Sequence, residues 1–146
     1  MAACGKLVET RPDDVISLFV GGLPNKTRKD YLEALKAGRH FSPVYFRDIH
    51  HCVAVIWPQR KAEQFLEWTE KNKIPGPQPP RSDDAVFGAW ARRTRQTVWA
   101  TVPSLVEHPD DVPSTVHLRA RSGADKGRVA ISFIGERDPL EIDWDA

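Results

Sequence analysis

The sequence is short of cysteine, of net charge and of long apolar runs, and each shortage excludes something. Cys4 and Cys52 match no metal-ligand spacing, and a chain that is 40% hydrophobic needs no disulfide to fold. A reducing, cytoplasmic setting is therefore expected. No stretch approaches the roughly eighteen apolar residues of a membrane-crossing helix, and Met-Ala-Ala-Cys-Gly-Lys lacks the basic-then-apolar pattern of an export signal. Neither a transmembrane span nor a leader is expected. A formal net charge of +1 over 146 residues gives no one-signed field to draw the chain to nucleic acid or a membrane. No internal repeat is visible, and the length suits one domain, 1–146, large enough to bury about two thirds of its unfolded surface.

What is present alternates strand-like and helix-like segments. Val15 to Val20 is a nearly continuous β-branched and aromatic run closed by Gly21-Gly22, the pattern of a central strand covered on both faces. Thr27 is placed to cap a helix from about Arg28 to Ala37, with Tyr31, Leu32 and Leu35 inward and Gly38 as its stop. Pro43 to Phe46 suits a short edge strand, and Cys52 to Trp57 a second buried one. Pro58 opens an amphipathic helix to about Lys71, with Ala62, Phe65, Leu66 and Thr69 on its apolar side.

The prolines of Ile74 to Arg81 forbid regular structure. Ser82 then caps a helix to about Arg93, with Val86, Phe87 and Trp90 inward and Arg92, Arg93 and Arg95 complementing the C-terminal dipole. Thr97 to Val102 is a strand stopped by Pro103. A polar, basic loop spans 119–128, Val129 to Ile134 is a last strand, and an acidic tail runs over 136–146. The fold class is α/β, a mixed sheet flanked by helices.

Four constellations bear on chemistry. Asp83-Asp84 opens a helix, where a carboxylate gains roughly 0.3–1 kcal/mol from the dipole and needs no further purpose. A helix start also favours the ionised form a general base requires, so the less common reading is proton removal from an attacking hydroxyl. His108 lies between prolines at a strand end, as a solvated loop residue or a ligand to a divalent metal. His50-His51 point apart if the backbone is extended, one packing and the other facing a cleft as a substrate contact. Arg119, Arg121, Lys126 and Arg128 form a basic loop able to close over a diphosphate, or simply balance the acidic tail. Gly21-Gly22 matches no nucleotide-binding glycine fingerprint.

Taken in order, Ser82-Asp83-Asp84-Ala85-Val86-Phe87-Gly88-Ala89-Trp90, Thr97-Val98-Trp99-Ala100-Thr101-Val102-Pro103-Ser104-Leu105-Val106-Glu107-His108, Pro113-Ser114-Thr115 and Gly127-Arg128-Val129-Ala130 resemble the second half of phage and actinobacterial glycosyltransferase-like proteins of the GT-A type. Ser17-Leu18-Phe19-Val20-Gly21-Gly22 and His51-Cys52-Val53-Ala54-Val55-Ile56-Trp57-Pro58 extend the likeness over most of the chain. The resemblance implies a partial Rossmann-like fold and transfer of a hexosyl group from a nucleotide sugar to an acceptor. Asp83 and Asp84 would be catalytic, His108 would ligate a divalent cation, manganese or magnesium, and Gly21, Gly22, His50, His51, Trp90 and Arg128 would contact substrate.

The family's acidic metal motif has no counterpart. Met1 to Glu9 is similar to the end of the helix that would follow it, and Asp13-Asp14 lies too near the next strand to replace it. The resemblance therefore implies an acceptor-side half lacking its N-terminal donor-binding half: a truncated product, a partner to a separately encoded first half, or a fragment retained for binding. The alternative is a non-catalytic interaction module that pairs through an exposed sheet edge, with a homodimer or a second chain as partner. Nucleic acid is not an expected partner.

Overall fold

The computed structural model describes residues 2–21, 25–49, 54–72, 83–107 and 129–145. Its frame is a four-stranded mixed sheet of order β2-β4-β1-β3, built from β1 (Val15–Ser17), β2 (Phe41–Val44), β3 (Val55–Ile56) and β4 (Val98–Thr101). The two inner strands, β1 and β4, run parallel, and each outer strand is antiparallel to its neighbour. Pro43, which has no N–H to give a ladder, falls on the edge strand β2, where it is tolerated.

Side-chain alternation divides the core into layers. Register places Ile16, Trp99, Phe41 and Ile56 on one face and Val15, Val98, Val44 and Val55 on the other. The first face is covered by Leu7 of α1 (Ala2–Thr10) and by Ile142 and Trp144 near the C-terminus, next to a short 3-10 helix over Pro139–Glu141. The second face carries Tyr31 and Ala34 of α2 (Lys26–Lys36) over Ala100 and Val44. It also carries the helices α3 (Gln59–Lys71) and α4 (Asp83–Thr94), which bring Phe65, Trp68, Phe87, Trp90 and Ala91 against Val15 and Val98. Trp57, Phe65, Phe87 and Trp90 form a ring cluster with centroids 4.7 to 6.4 Å apart, and such pairs add about 0.5–1.5 kcal/mol each beyond area burial.

The structure departs from the sequence expectations where long-range partners decide. The β1 ladder ends at Ser17, although Leu18, Phe19 and Val20 are buried as expected. Their backbone turns to other partners: Leu18 O accepts from Leu105 N–H and Val106 N–H, Val20 N–H donates to the Ser104 hydroxyl, and Val20 O accepts from Ile131 N–H. Asn25, not Thr27, caps α2 by accepting from Arg28 N–H at 2.8 Å, and Leu35 faces solvent while Ala34 takes the inward position. β3 is a half-buried edge strand rather than a buried inner one.

Residues 129–134 form no strand; they make single bridges, Ala130 to Gly21 and Phe133 to Ser104. The acidic tail is not a solvated appendage. Ile142 and Trp144 belong to the core, and the Trp144 indole N–H donates to Pro139 O at 3.0 Å. The expected proline-rich connection at 74–81 and basic loop at 119–128 lie outside the described residues.

Candidate functional site

Helix α4 carries two parallel rows at spacing four, Asp84-Gly88-Arg92 and Ala85-Ala89-Arg93. Residues four apart lie one above another on a helix surface, so each row has a carboxylate or methyl at its start, a small residue in the middle and a guanidinium at its end. The small residues leave a groove of about 460 Å³, whose other wall is the segment after β2, with Phe46, Arg47 and Ile49.

Gly88 sets how close that wall comes. A Cβ at this position would lie 2.6 Å from the Phe46 carbonyl oxygen, inside any real contact distance. The wall is itself fixed by α2. The Asp48 carboxylate accepts from Thr27 N–H at 3.1 Å and from the Thr27 hydroxyl at 2.9 Å, while Thr27 Oγ1 accepts from Tyr45 N–H at 3.0 Å. The Tyr45 hydroxyl donates to Asp30 at 2.6 Å and also meets Lys26 Nζ. That hydroxyl, with the Lys26 ammonium behind it, holds the Asp30 carboxyl below the usual carboxylate range. The expected capping threonine thus serves as the anchor between α2 and the groove wall.

Charge in the groove is divided along α4. Asp84, partly buried, lines the N-terminal part, and Arg92 and Arg93 occupy the C-terminal part with Arg47 across from them. The Arg47 and Arg92 guanidinium carbons sit 5.7 and 5.8 Å from the centre of the Phe46 ring, and that of Arg93 lies 5.8 Å from the Trp68 ring. The ion pairs among the described residues are Arg11 with Asp14, Lys26 with Asp30 and Lys29 with Glu33, so none of them takes up a groove guanidinium.

The described residues among those expected from sequence are not brought together in one place. Asp84 lines the groove, whereas Asp83 beside it is exposed and forms no part of the lining. Trp90 is 1% exposed within the ring cluster, which leaves no ring surface for a substrate; its apolar periodicity marked a core residue. Gly21 is half-buried and its backbone pairs with Ala130. Gly22, His50, His51, His108 and Arg128 lie outside the described residues. Phe46, Arg47 and Gly88 were not singled out for a site by sequence, although the two small-residue rows ending in arginine were the available signal.

A second polar cluster is interior. The Tyr31 hydroxyl lies 3.3 Å from Ser104 Oγ and 3.0 Å from Ser132 Oγ, and burial pushes the Tyr31 phenol up from its usual value. Ser104 also accepts from Val20 N–H at 3.2 Å. These hydroxyls satisfy backbone that the ladder leaves behind, so the cluster joins α2, the end of β1 and residues 131–134.

Among the described residues no group of three His, Cys, Asp or Glu stands together as a metal site requires, and the expected ligand His108 lies outside them. Among them, too, no helix is long and apolar enough to cross a membrane. No protein-family model matches the chain, and neither a curated protein nor a solved structure is similar to it.

Proposed function

We propose that the chain is a glycosyltransferase-like domain of the GT-A type, the acceptor-side half of an enzyme that moves a hexosyl group from a nucleotide sugar to an acceptor hydroxyl. The observation that supports this reading most is Asp84: a carboxylate in the first turn of a helix, on the lining of an open groove with guanidinium groups further along. In the reaction, Asp84 removes the proton of the acceptor hydroxyl as that oxygen attacks the anomeric carbon. The bond from that carbon to the diphosphate breaks, and the nucleoside diphosphate leaves with the electron pair.

The resemblance assigns substrate contacts to Gly21, Gly22, His50, His51 and Arg128, and a manganese or magnesium ion to His108. A reducing, cytoplasmic setting belongs to the same reading. The test is release of nucleoside diphosphate from uridine and guanosine diphosphate sugars with a donor-binding half supplied in trans. Asp84→Asn is expected to lower it about 10²- to 10⁴-fold, the range general-base catalysis supplies, and Asp83→Asn much less. Equal activity of Asp84→Asn and the unaltered chain would remove Asp84 from the reaction.

A further inference from the structure

The groove holds more positive charge than proton removal requires. We propose that its arginine end is a binding site for a phosphate ester, and that the acceptor glycosylated at Asp84 is a phosphorylated ring compound. The substrate assignment rests on the transferase reading above; the phosphate site rests on the groove alone.

Three features point to this chemistry. First, Arg47 and Arg92 come from different elements, the segment after β2 and the last turn of α4, yet both line the one groove, with their guanidinium carbons 5.7 and 5.8 Å from the centre of the Phe46 ring. Complementing the helix dipole accounts for the charge of Arg92 and Arg93, but not for Arg47 or for the convergence. Guanidinium forks match the paired oxygens of a phosphate, and no carboxylate among the described ion pairs occupies these. Second, Phe46 is 36% exposed, an apolar face beside the cations on which a sugar or base ring can lie. Third, the floor between the cations and Asp84 is made of Ala85, Gly88 and Ala89, which leaves the space open along the helix.

Helical geometry sets the length of the ligand. Asp84 and Arg92 are eight residues apart, about 12 Å along the axis at roughly 1.5 Å per residue, and the arginine side chains lean back toward the N-terminus. A ligand with its phosphate on the guanidinium groups and a hydroxyl at Asp84 must be longer than inorganic phosphate, and a phosphorylated ring compound suits that span. Inorganic phosphate alone would fill one end.

The test is calorimetric titration of the full chain with inorganic phosphate, glucose 6-phosphate, uridine monophosphate and uridine. Both esters are expected to bind saturably and more tightly than inorganic phosphate, with uridine far weaker, and affinity should fall as salt is raised. Preference for one ester identifies the ring as sugar or nucleoside. Arg47→Gln and Arg92→Gln should each weaken ester binding about tenfold or more, the measure of one lost charge-assisted hydrogen bond, with the far-ultraviolet spectrum unchanged. Lysine at either position should recover part of the loss. Absence of saturable ester binding, or binding that survives the double Arg47→Gln/Arg92→Gln variant, would overturn the site. Ester binding without transfer from any donor, with a donor-binding half supplied in trans, would retain the site and remove the transferase reading.

Discussion

At the scale of single residues, Gly88 and Tyr31 show two ways in which one atom governs a segment. Replacing Gly88 by alanine would ordinarily favour a helix by up to about 1 kcal/mol. Here the added carbon meets a backbone oxygen at 2.6 Å, and backbone cannot swing aside as a side-chain tip does. Overpacking of this kind costs about 1–3 kcal/mol, so Gly88→Ala is expected to lower the urea midpoint, while a raised midpoint would contradict the close approach. Tyr31 has the opposite difficulty, a buried hydroxyl that must stay neutral. Its folded-state value is raised by burial, so its contribution is complete below the unfolded value near 10 and is lost as pH rises through the folded value. Tyr31→Phe should cost about 1–2 kcal/mol at neutral pH and flatten that alkaline loss of stability; an unchanged alkaline limb would exclude Tyr31 as its source.

At the scale of elements, what was legible in the sequence was what neighbours along the chain decide. The α4 boundaries follow from an acidic first turn, an apolar row and a basic last turn, and the centrality of β1 follows from its unbroken apolar run. The tail was not legible, because its many carboxylates hide two buried positions. Ile142 and Trp144 are two residues apart in an otherwise charged stretch, and only contact with Leu7 and Phe41 makes them core. Trp144→Ala should therefore cost about 3–5 kcal/mol, comparable to the whole stability of a small domain. A variant that melts within a degree or two of the unaltered chain would show the tail to be an appendage after all. Residues 129–134 escaped for a related reason: their partners, Gly21 and Ser104, are over a hundred and nearly thirty residues away and give no local period.

At the scale of the whole molecule, a net charge of +1 conceals an uneven distribution. Arg47, Arg92 and Arg93 all line one groove, so composition excluded a global field without excluding a local one. Half of the site was legible: Asp84 stands out as a first-turn carboxylate, but its opposite wall depends on β2 delivering Phe46 and Arg47 to Gly88, a meeting that only the tertiary structure brings about. The mixed sheet with α2, α3 and α4 on one face and α1 and the tail on the other is the frame that holds the two walls together. The most direct test of the transferase reading is release of nucleoside diphosphate from a panel of uridine and guanosine diphosphate sugars with a donor-binding half supplied in trans, comparing the unaltered chain with Asp84→Asn and Asp83→Asn. Release by the unaltered chain that falls at least about a hundredfold in Asp84→Asn and much less in Asp83→Asn is the predicted result. No release from any donor, or release indifferent to Asp84, would contradict it.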